Sequence, residues 1–109
     1  MRVLFVCNLG RNRSRTAAEL FKDRFETRYA GVYSEERPVT AALLSWADVV
    51  VVMNDEQRRE ISERFPKEYG QKRILSLGVE DVYRYQQPEL LELLKERVTE
   101  VFSAVFGPE

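Results

Sequence analysis

The chain contains no histidine and only one cysteine among its 109 residues. Without histidine it cannot use the Ser-His-Asp or Cys-His mechanisms, and it lacks the commonest metal ligand. A lone cysteine excludes an intrachain disulfide and a zinc site built from several cysteines, and it is typical of a protein from a reducing compartment. Any nucleophile in this chain must therefore be activated by backbone dipoles, hydroxyl groups or cations.

Net charge and long apolar runs are also missing. Seventeen basic residues face eighteen acidic ones, which leaves no field to attract nucleic acid or an anionic membrane. No apolar run approaches the length of a membrane span, and the first predicted strand begins at Arg2, which leaves no room for a signal peptide. We therefore expect a cytoplasmic protein that binds neither nucleic acid nor membrane. With 44% hydrophobic residues, the length suits a single domain over residues 1–109.

Strand and helix patterns alternate along the chain. Short apolar runs predict strands over residues 2–6, 28–33, 49–53 and 73–77. Helical spacing of apolar residues predicts helices over residues 14–26, 39–46, 54–64 and 88–105. The run at 49–53 is apolar on both faces, which is typical of a central parallel strand covered by helices on each side. The alternation predicts a three-layer α/β/α sandwich with a parallel sheet and right-handed crossovers.

The segment CNLGRNRS, residues 7–14, lies between the first predicted strand and the first predicted helix. The strand would fix the Cys7 sulfur, the loop amides would face an anion, and Arg13 would close the ring with its planar guanidinium. Ser14 could donate a hydrogen bond to the thiolate, and Gly10 would allow the tight curvature that this loop needs. The segment therefore predicts a phosphatase in which Cys7 attacks phosphorus.

Each of these residues also has an ordinary structural explanation. A free cysteine at a strand end is commonly a small buried hydrophobe, and an arginine at a helix start is commonly solvated. What favours the phosphatase is their joint occurrence at the first junction between strand and helix, since ligands of such sheets bind beyond the carboxyl ends of the strands.

The stretch VCNLGRNRS, followed by TAAELF, resembles the Cys-x5-Arg-Ser signature near the N-terminus of the low-molecular-weight protein tyrosine phosphatases. The chain is short for that family and most resembles a compact bacterial and archaeal branch of predicted tyrosine phosphatases. Four further stretches contribute: AGVYS, TAALLSWADVVVVM, KRILSLGVEDVYRY and QQPELLELLKERV. The resemblance implies a four-stranded parallel sheet, a cysteinyl-phosphate intermediate, no metal or other cofactor, and a general-acid aspartate on a loop near the C-terminus.

Asp81 is the residue that matches this acid. It would protonate the leaving oxygen and then activate water against the phosphocysteine. Tyr83 would form a wall of the pocket and stack on an aryl phosphate, and Tyr85 is the weaker candidate for the same role. The remaining loop residues are expected to bind the substrate: Asn8, Leu9, Gly10, Arg11 and Asn12.

The sequence departs from the family pattern at two positions. Gly10 stands where larger members carry an asparagine that pins the loop, and Asp81 is not next to a proline. The first departure motivates a different function, a non-catalytic module that binds phosphate or a phosphorylated protein. An arsenate reductase is a further alternative, because the same loop binds oxyanions, and a phosphocysteine carrier is another. Among phosphatase substrates, phosphotyrosyl proteins, small aryl or sugar phosphates and phosphoarginine all stay open.

Overall fold

The computed structural model describes residues 1–107 of the chain. Its strands are β1 Arg2–Cys7, β2 Glu26–Gly31, β3 Val49–Val52 and β4 Arg73–Ser76. Its helices are α1 Arg13–Leu20, α2 Ala41–Trp46, α3 Asp55–Arg64, α4 Pro66–Gln71 and α5 Pro88–Phe106. The strands form one sheet in the order β2-β1-β3-β4, and every neighbouring pair is parallel. The predicted α/β sandwich and its four-stranded parallel sheet are confirmed.

The two central strands are buried on both faces, as their apolar sequences predict. Along β1, Val3 and Phe5 face one side and pack with residues of α1 and α5, whereas Leu4 and Val6 face the other side and pack with α2 and α3. All four valines of β3 are buried. The sheet therefore separates two hydrophobic cores, and its rigid centre ends directly at Cys7.

The first helix ends earlier than predicted, at Leu20, and β2 begins earlier, at Glu26. The Glu26 amide donates to the Met1 carbonyl at 3.0 Å, and Glu26 lies opposite Arg2 in the sheet. Pairing with β1 thus draws these residues into a strand, although Phe25 keeps the helical spacing of apolar residues. Phe25 still contacts the core cluster, with its ring 6.4 Å from that of Phe21.

A helix also begins where none is predicted, at Pro66. Proline ends α3 as expected, since its ring cannot continue a helix, but its fixed φ and missing amide suit the first position of a new one. The start of α3 agrees with prediction: Asn54 is its N-cap, and the Asn54 side chain accepts from the Glu56 amide at 3.1 Å.

The strand order places a topological reversal between β1 and β3. Because all strands are parallel, the segments that follow β1, β3 and β4 meet at the same edge of the sheet. These segments are the loop 8–12, the start of α3, and the stretch 77–87 that leads to α5. None of the helices within residues 1–107 is both long and apolar enough to cross a membrane.

Candidate active site

Cys7 is buried at the carboxyl end of β1, with 3% of its surface exposed. The Gly10 amide donates to its sulfur at 3.2 Å, and the Ser14 hydroxyl lies 3.0 Å from the same atom. A thiolate can only accept hydrogen bonds, so both neighbours can serve as donors to it. The structure thus brings Cys7 and Ser14 into the contact that the sequence predicts.

The Arg13 side chain is almost completely buried beside this sulfur, with 1% of its surface exposed. Its Nη1 donates to the Val79 carbonyl at 2.7 Å, but its Nε and Nη2 are buried without a hydrogen-bond partner among residues 1–107. Burying unpaired donors of a charged group is costly. These two atoms form the edge of the guanidinium that binds two oxygens of a phosphate at once. The arginine is therefore held ready for an oxyanion.

A small cleft lies over the sulfur and the guanidinium. Its lining consists of residues from the loop, the start of α1 and the segment after β4: Cys7, Leu9, Arg11, Asn12, Arg13 and Asp81. In the described part of the chain, the amides of Leu9, Arg11 and Asn12 donate to no protein acceptor. They are available to an anion, as are the first amides of α1. In the same residues, no cluster of three or more acidic or cysteine side chains could hold a metal ion.

Two glycines set the curvature of the loop. Gly10 has a φ of +65°, which a residue with a side chain rarely adopts, and this turns its amide onto the sulfur. Gly31, at the end of β2, lies against the loop so closely that a Cβ there would be 2.5 Å from the Gly10 nitrogen. The loop is therefore shaped by contact with the neighbouring strand, and not by its own sequence alone.

We expect Gly31→Ala to lower the free energy of unfolding by about 1–3 kcal/mol, because the added methyl group meets backbone atoms that cannot rotate away. It should also reduce anion binding by displacing the loop. Gly70→Ala is the matched control: nothing lies within 4 Å of a Cβ at this position in α4. The control should be neutral or stabilising by up to about 1 kcal/mol. Chemical denaturation of both variants measures the difference, and equal stabilities would contradict the close contact.

The segment that carries Asp81 is attached to the loop and to α1 at both of its ends. Before Asp81, the Val79 carbonyl accepts from Arg13; after it, the Tyr85 amide donates to Asn12 Oδ1 at 3.1 Å. The next amide, that of Gln86, donates to Thr16 Oγ1 at 2.9 Å. Asp81 lies between these anchors, half exposed, with its Oδ1 3.6 Å from Arg13 Nε. The predicted acid therefore does reach the cleft.

The two tyrosines after Asp81 lie elsewhere. Tyr83 packs against the core beneath α5 and lines a surface groove with Pro88 and Leu93, outside the cleft. Tyr85 stacks under the guanidinium of Arg15, which lies 4.1 Å from the centre of its ring. The predicted wall is therefore not formed by Tyr83, whose half-buried ring packs against the core beneath α5.

The structure places a different aromatic residue near the cleft, one that sequence reasoning missed. Tyr33 follows β2, its amide donates to the Asn8 carbonyl at 2.8 Å, and its side chain lines a groove that shares Leu9 and Arg11 with the cleft. A hydrogen bond to Glu56, together with desolvation and the negative charge of Glu56, raises the pKa of the Tyr33 hydroxyl. Only the order of the strands reveals that this residue lies beside the loop.

A second missed residue is Gln57, which is completely buried in the first turn of α3. Its Oε1 accepts from the Asn54 amide at 2.7 Å, and its Nε2 donates to Asn8 Oδ1 at 2.6 Å. Asn8 Nδ2 in turn lies 3.5 Å from Asp81 Oδ2. Gln57 stands three residues after the N-cap, the position of a capping-box partner, which is the one sequence signal that could have marked it.

The sequence matches no protein-family model and no curated protein. Among solved structures, a low-molecular-weight protein tyrosine phosphatase from Bacillus subtilis is similar, with a TM-score of 0.72 and 21% identity over 97% of this chain and 99% of that one. The tyrosine phosphatase AmsI of Erwinia amylovora superimposes with a TM-score of 0.75 and 16% identity, over 94% and 91% of the two chains. The YwlE arginine phosphatase of Geobacillus stearothermophilus gives 0.66 and 22%, over 91% and 90%. The chain therefore has the fold of the low-molecular-weight protein tyrosine phosphatases.

Proposed function

We propose that this protein is a metal-independent phosphomonoester hydrolase that acts through a cysteinyl-phosphate intermediate. The observation that carries this proposal is the buried edge of Arg13 beside the Cys7 sulfur, where the Arg13 Nε and Nη2 have no hydrogen-bond partner within residues 1–107. A binding module needs the arginine, but it has no use for a thiol that faces two donors or for a carboxyl group across the cleft. The arrangement of Cys7, Arg13, Ser14 and Asp81 supports catalysis.

In the first step, the Cys7 thiolate attacks phosphorus and forms an S–P bond, while the bond from phosphorus to the leaving oxygen breaks. Arg13 and the loop amides bind the equatorial oxygens as charge shifts onto them. Asp81 gives its proton to the leaving oxygen, which departs as an alcohol or a phenol. The side chain of Asp81 is 54% exposed and borders the cleft, so a substrate can approach it from solvent.

In the second step, the Asp81 carboxylate takes a proton from water, the water oxygen attacks phosphorus, and the S–P bond breaks. Inorganic phosphate and the Cys7 thiolate are released. The Ser14 hydroxyl, 3.0 Å from the sulfur, donates a hydrogen bond to the departing thiolate and lowers the barrier to its release. Phosphate and similar oxyanions are therefore also ligands of this site.

Phosphotyrosyl protein is the substrate class that we propose. Three of the exposed large hydrophobic side chains lie around the cleft or beside residues that line it: Leu9, Tyr33 and Val82. Apolar contacts at the mouth suit an aryl group attached to the phosphate. The tyrosine phosphatase AmsI has the same fold, but so does the arginine phosphatase YwlE, so phosphoarginine is the competing substrate.

A lone free thiol fits the cytoplasm, where we propose that the protein acts.

The test is hydrolysis of aryl phosphates in the presence of a chelator, with wild type compared with Asp81→Asn. Loss of the acid should lower kcat/KM, which reports the steps up to release of the leaving group, by about 10²–10⁴-fold for phenyl phosphate, whose leaving group needs a proton. The loss should be much smaller for 2,4-dinitrophenyl phosphate, because dinitrophenolate is stable without one. Glu80→Gln, which removes the neighbouring carboxylate, is the matched control and should behave like wild type.

Two outcomes would contradict the proposal. If wild type hydrolyses neither ester but still binds orthovanadate, the site is a phosphate-binding module. If turnover occurs but Asp81→Asn lowers kcat/KM equally for both esters, the acid is a different residue. Comparing phosphotyrosyl and phosphoarginyl peptides then identifies the substrate class.

A further inference from the structure

Four polar groups form a chain of hydrogen bonds behind the cleft, and its direction is fixed at one end. The Asn54 backbone amide can only donate, so the Gln57 oxygen must face it and the Gln57 NH2 group must face Asn8. The Asn8 oxygen accepts from Gln57, so the Asn8 NH2 group must face Asp81. The chain therefore ends as a hydrogen-bond donor to Oδ2 of the acid.

We propose that Gln57 is a positioning residue of the reaction, acting through Asn8 to orient the Asp81 carboxyl group; the inference rests on the proposed function. Holding Oδ2 from behind leaves Oδ1 on the side of Arg13, where its distance from Nε is 3.6 Å. Oδ1 is then the atom that exchanges the proton with the leaving group and with water. Asn8 touches the acid, whereas Gln57 touches neither the acid nor the cleft lining.

Such support matters because the Asp81 side chain has few contacts of its own within residues 1–107. Its segment has no helical or strand hydrogen bonds, and its side chain is half exposed. Gln57, in contrast, is fully buried and held by the capping box of α3, so these hydrogen bonds connect the half-exposed acid to a buried helix start.

A substitution can reverse the direction of these hydrogen bonds without removing them. Gln57→Glu keeps an acceptor for the Asn54 amide but offers Asn8 a second acceptor, so Asn8 must rotate and turn its oxygen toward Asp81. The donor to the acid is then lost while the cap is kept. Asn8→Ala removes the donor from the loop side without touching α3, and it serves if the buried glutamate of the first variant prevents folding.

We expect either variant to lower kcat/KM for phenyl phosphate by about tenfold, because misorienting the acid forfeits part of its contribution to the departure of the leaving group. The kcat/KM for 2,4-dinitrophenyl phosphate and the Kd of orthovanadate should change by less than about threefold, since neither depends on proton donation by the acid. In the Asp81→Asn background the same changes should have no further effect on phenyl phosphate. Gln71→Glu, which adds the same charge at the exposed end of α4, is the matched control.

An equal loss for both esters, or an effect that persists in the Asp81→Asn background, would overturn the inference while leaving the proposed function intact. A nuclear magnetic resonance measurement tests the inference independently of the proposed function, because it needs no turnover. When Asp81→Asn is the only substitution, it should shift the side-chain amide resonances of Asn8, because the two side chains are in contact. In Gln57→Glu that shift should largely disappear; an unchanged shift would also contradict the inference. An enzyme with no turnover would count against the proposed function alone.

Discussion

Replacing Cys7 by serine is expected to lower turnover by on the order of 10⁴-fold or more, because the hydroxyl is not ionised at neutral pH and is a far weaker nucleophile than a thiolate. The substitution changes one atom at the end of β1, and the new oxygen can still form hydrogen bonds with the Gly10 amide and the Ser14 hydroxyl. Hydrolysis of para-nitrophenyl phosphate with a chelator present measures the loss.

The Cys7→Ser variant should still bind orthovanadate or phosphate, since Arg13 and the loop amides are unchanged. This retained binding is the control for correct folding of the loop. Cys7 is the only thiol in the chain, so a wild-type enzyme quenched in acid during turnover should carry phosphate on this residue alone. Substantial turnover by the serine variant would show that the nucleophile is another group or a water molecule.

Arg13→Lys is expected to lower kcat/KM by about 10³-fold, although the charge is kept. An ammonium group cannot supply the two adjacent donors of Nε and Nη2, nor can it hold the Val79 carbonyl at the same time. The affinity for orthovanadate should fall as well, because the lost contacts form in the ground state and strengthen in the transition state.

Arg11→Lys is the matched control for this substitution. Arg11 lines the same cleft and carries the same charge, but it is exposed, so its donors can reach water. We expect its activity to stay within about threefold of wild type, in keeping with the small worth of exposed charges. Similar losses in both variants would mean that the cleft needs only positive charge and not the fork of Arg13. Thermal unfolding of both proteins checks that the lost Val79 contact has not unfolded the chain.

The parts of the molecule that the sequence predicts well are those with local signals. A few neighbouring residues are enough to predict three features: the strand β3 from its apolar run, the helix cap from Asn54, and the loop between strand and helix from residues 7–14. The structure has all three at these positions. Parallel topology follows from the alternation of strands and helices. Because the carboxyl ends of parallel strands lie at one edge of the sheet, this topology also predicts that Asp81 and Arg13 come close together there.

The parts that the sequence does not predict depend on contacts between distant residues. Glu26 belongs to a strand because it pairs with β1, against the helical spacing around it. Tyr33 and Gln57 reach the site because β2 and β3 both adjoin β1. No local pattern marks Tyr33, and the capping-box position of Gln57 indicates a helix start but not its contact with the loop. Tyr83 is close to Asp81 along the chain, but its ring packs beneath α5 and lies outside the cleft.

The anchoring of the Asp81 segment has a consequence for how this protein can change. The segment that carries Asp81 is held to α1 by hydrogen bonds to Arg13 and to the hydroxyl of Thr16. Within the described residues, Tyr33 is hydrogen-bonded to the loop through its backbone amide and not through its side chain. Its side chain can be exchanged without loosening any bond that holds the acid or the arginine. If the proposed function holds, substrate selectivity and reactivity are carried by separable parts of the chain, and a substitution after β2 would change the preferred substrate without changing the reaction.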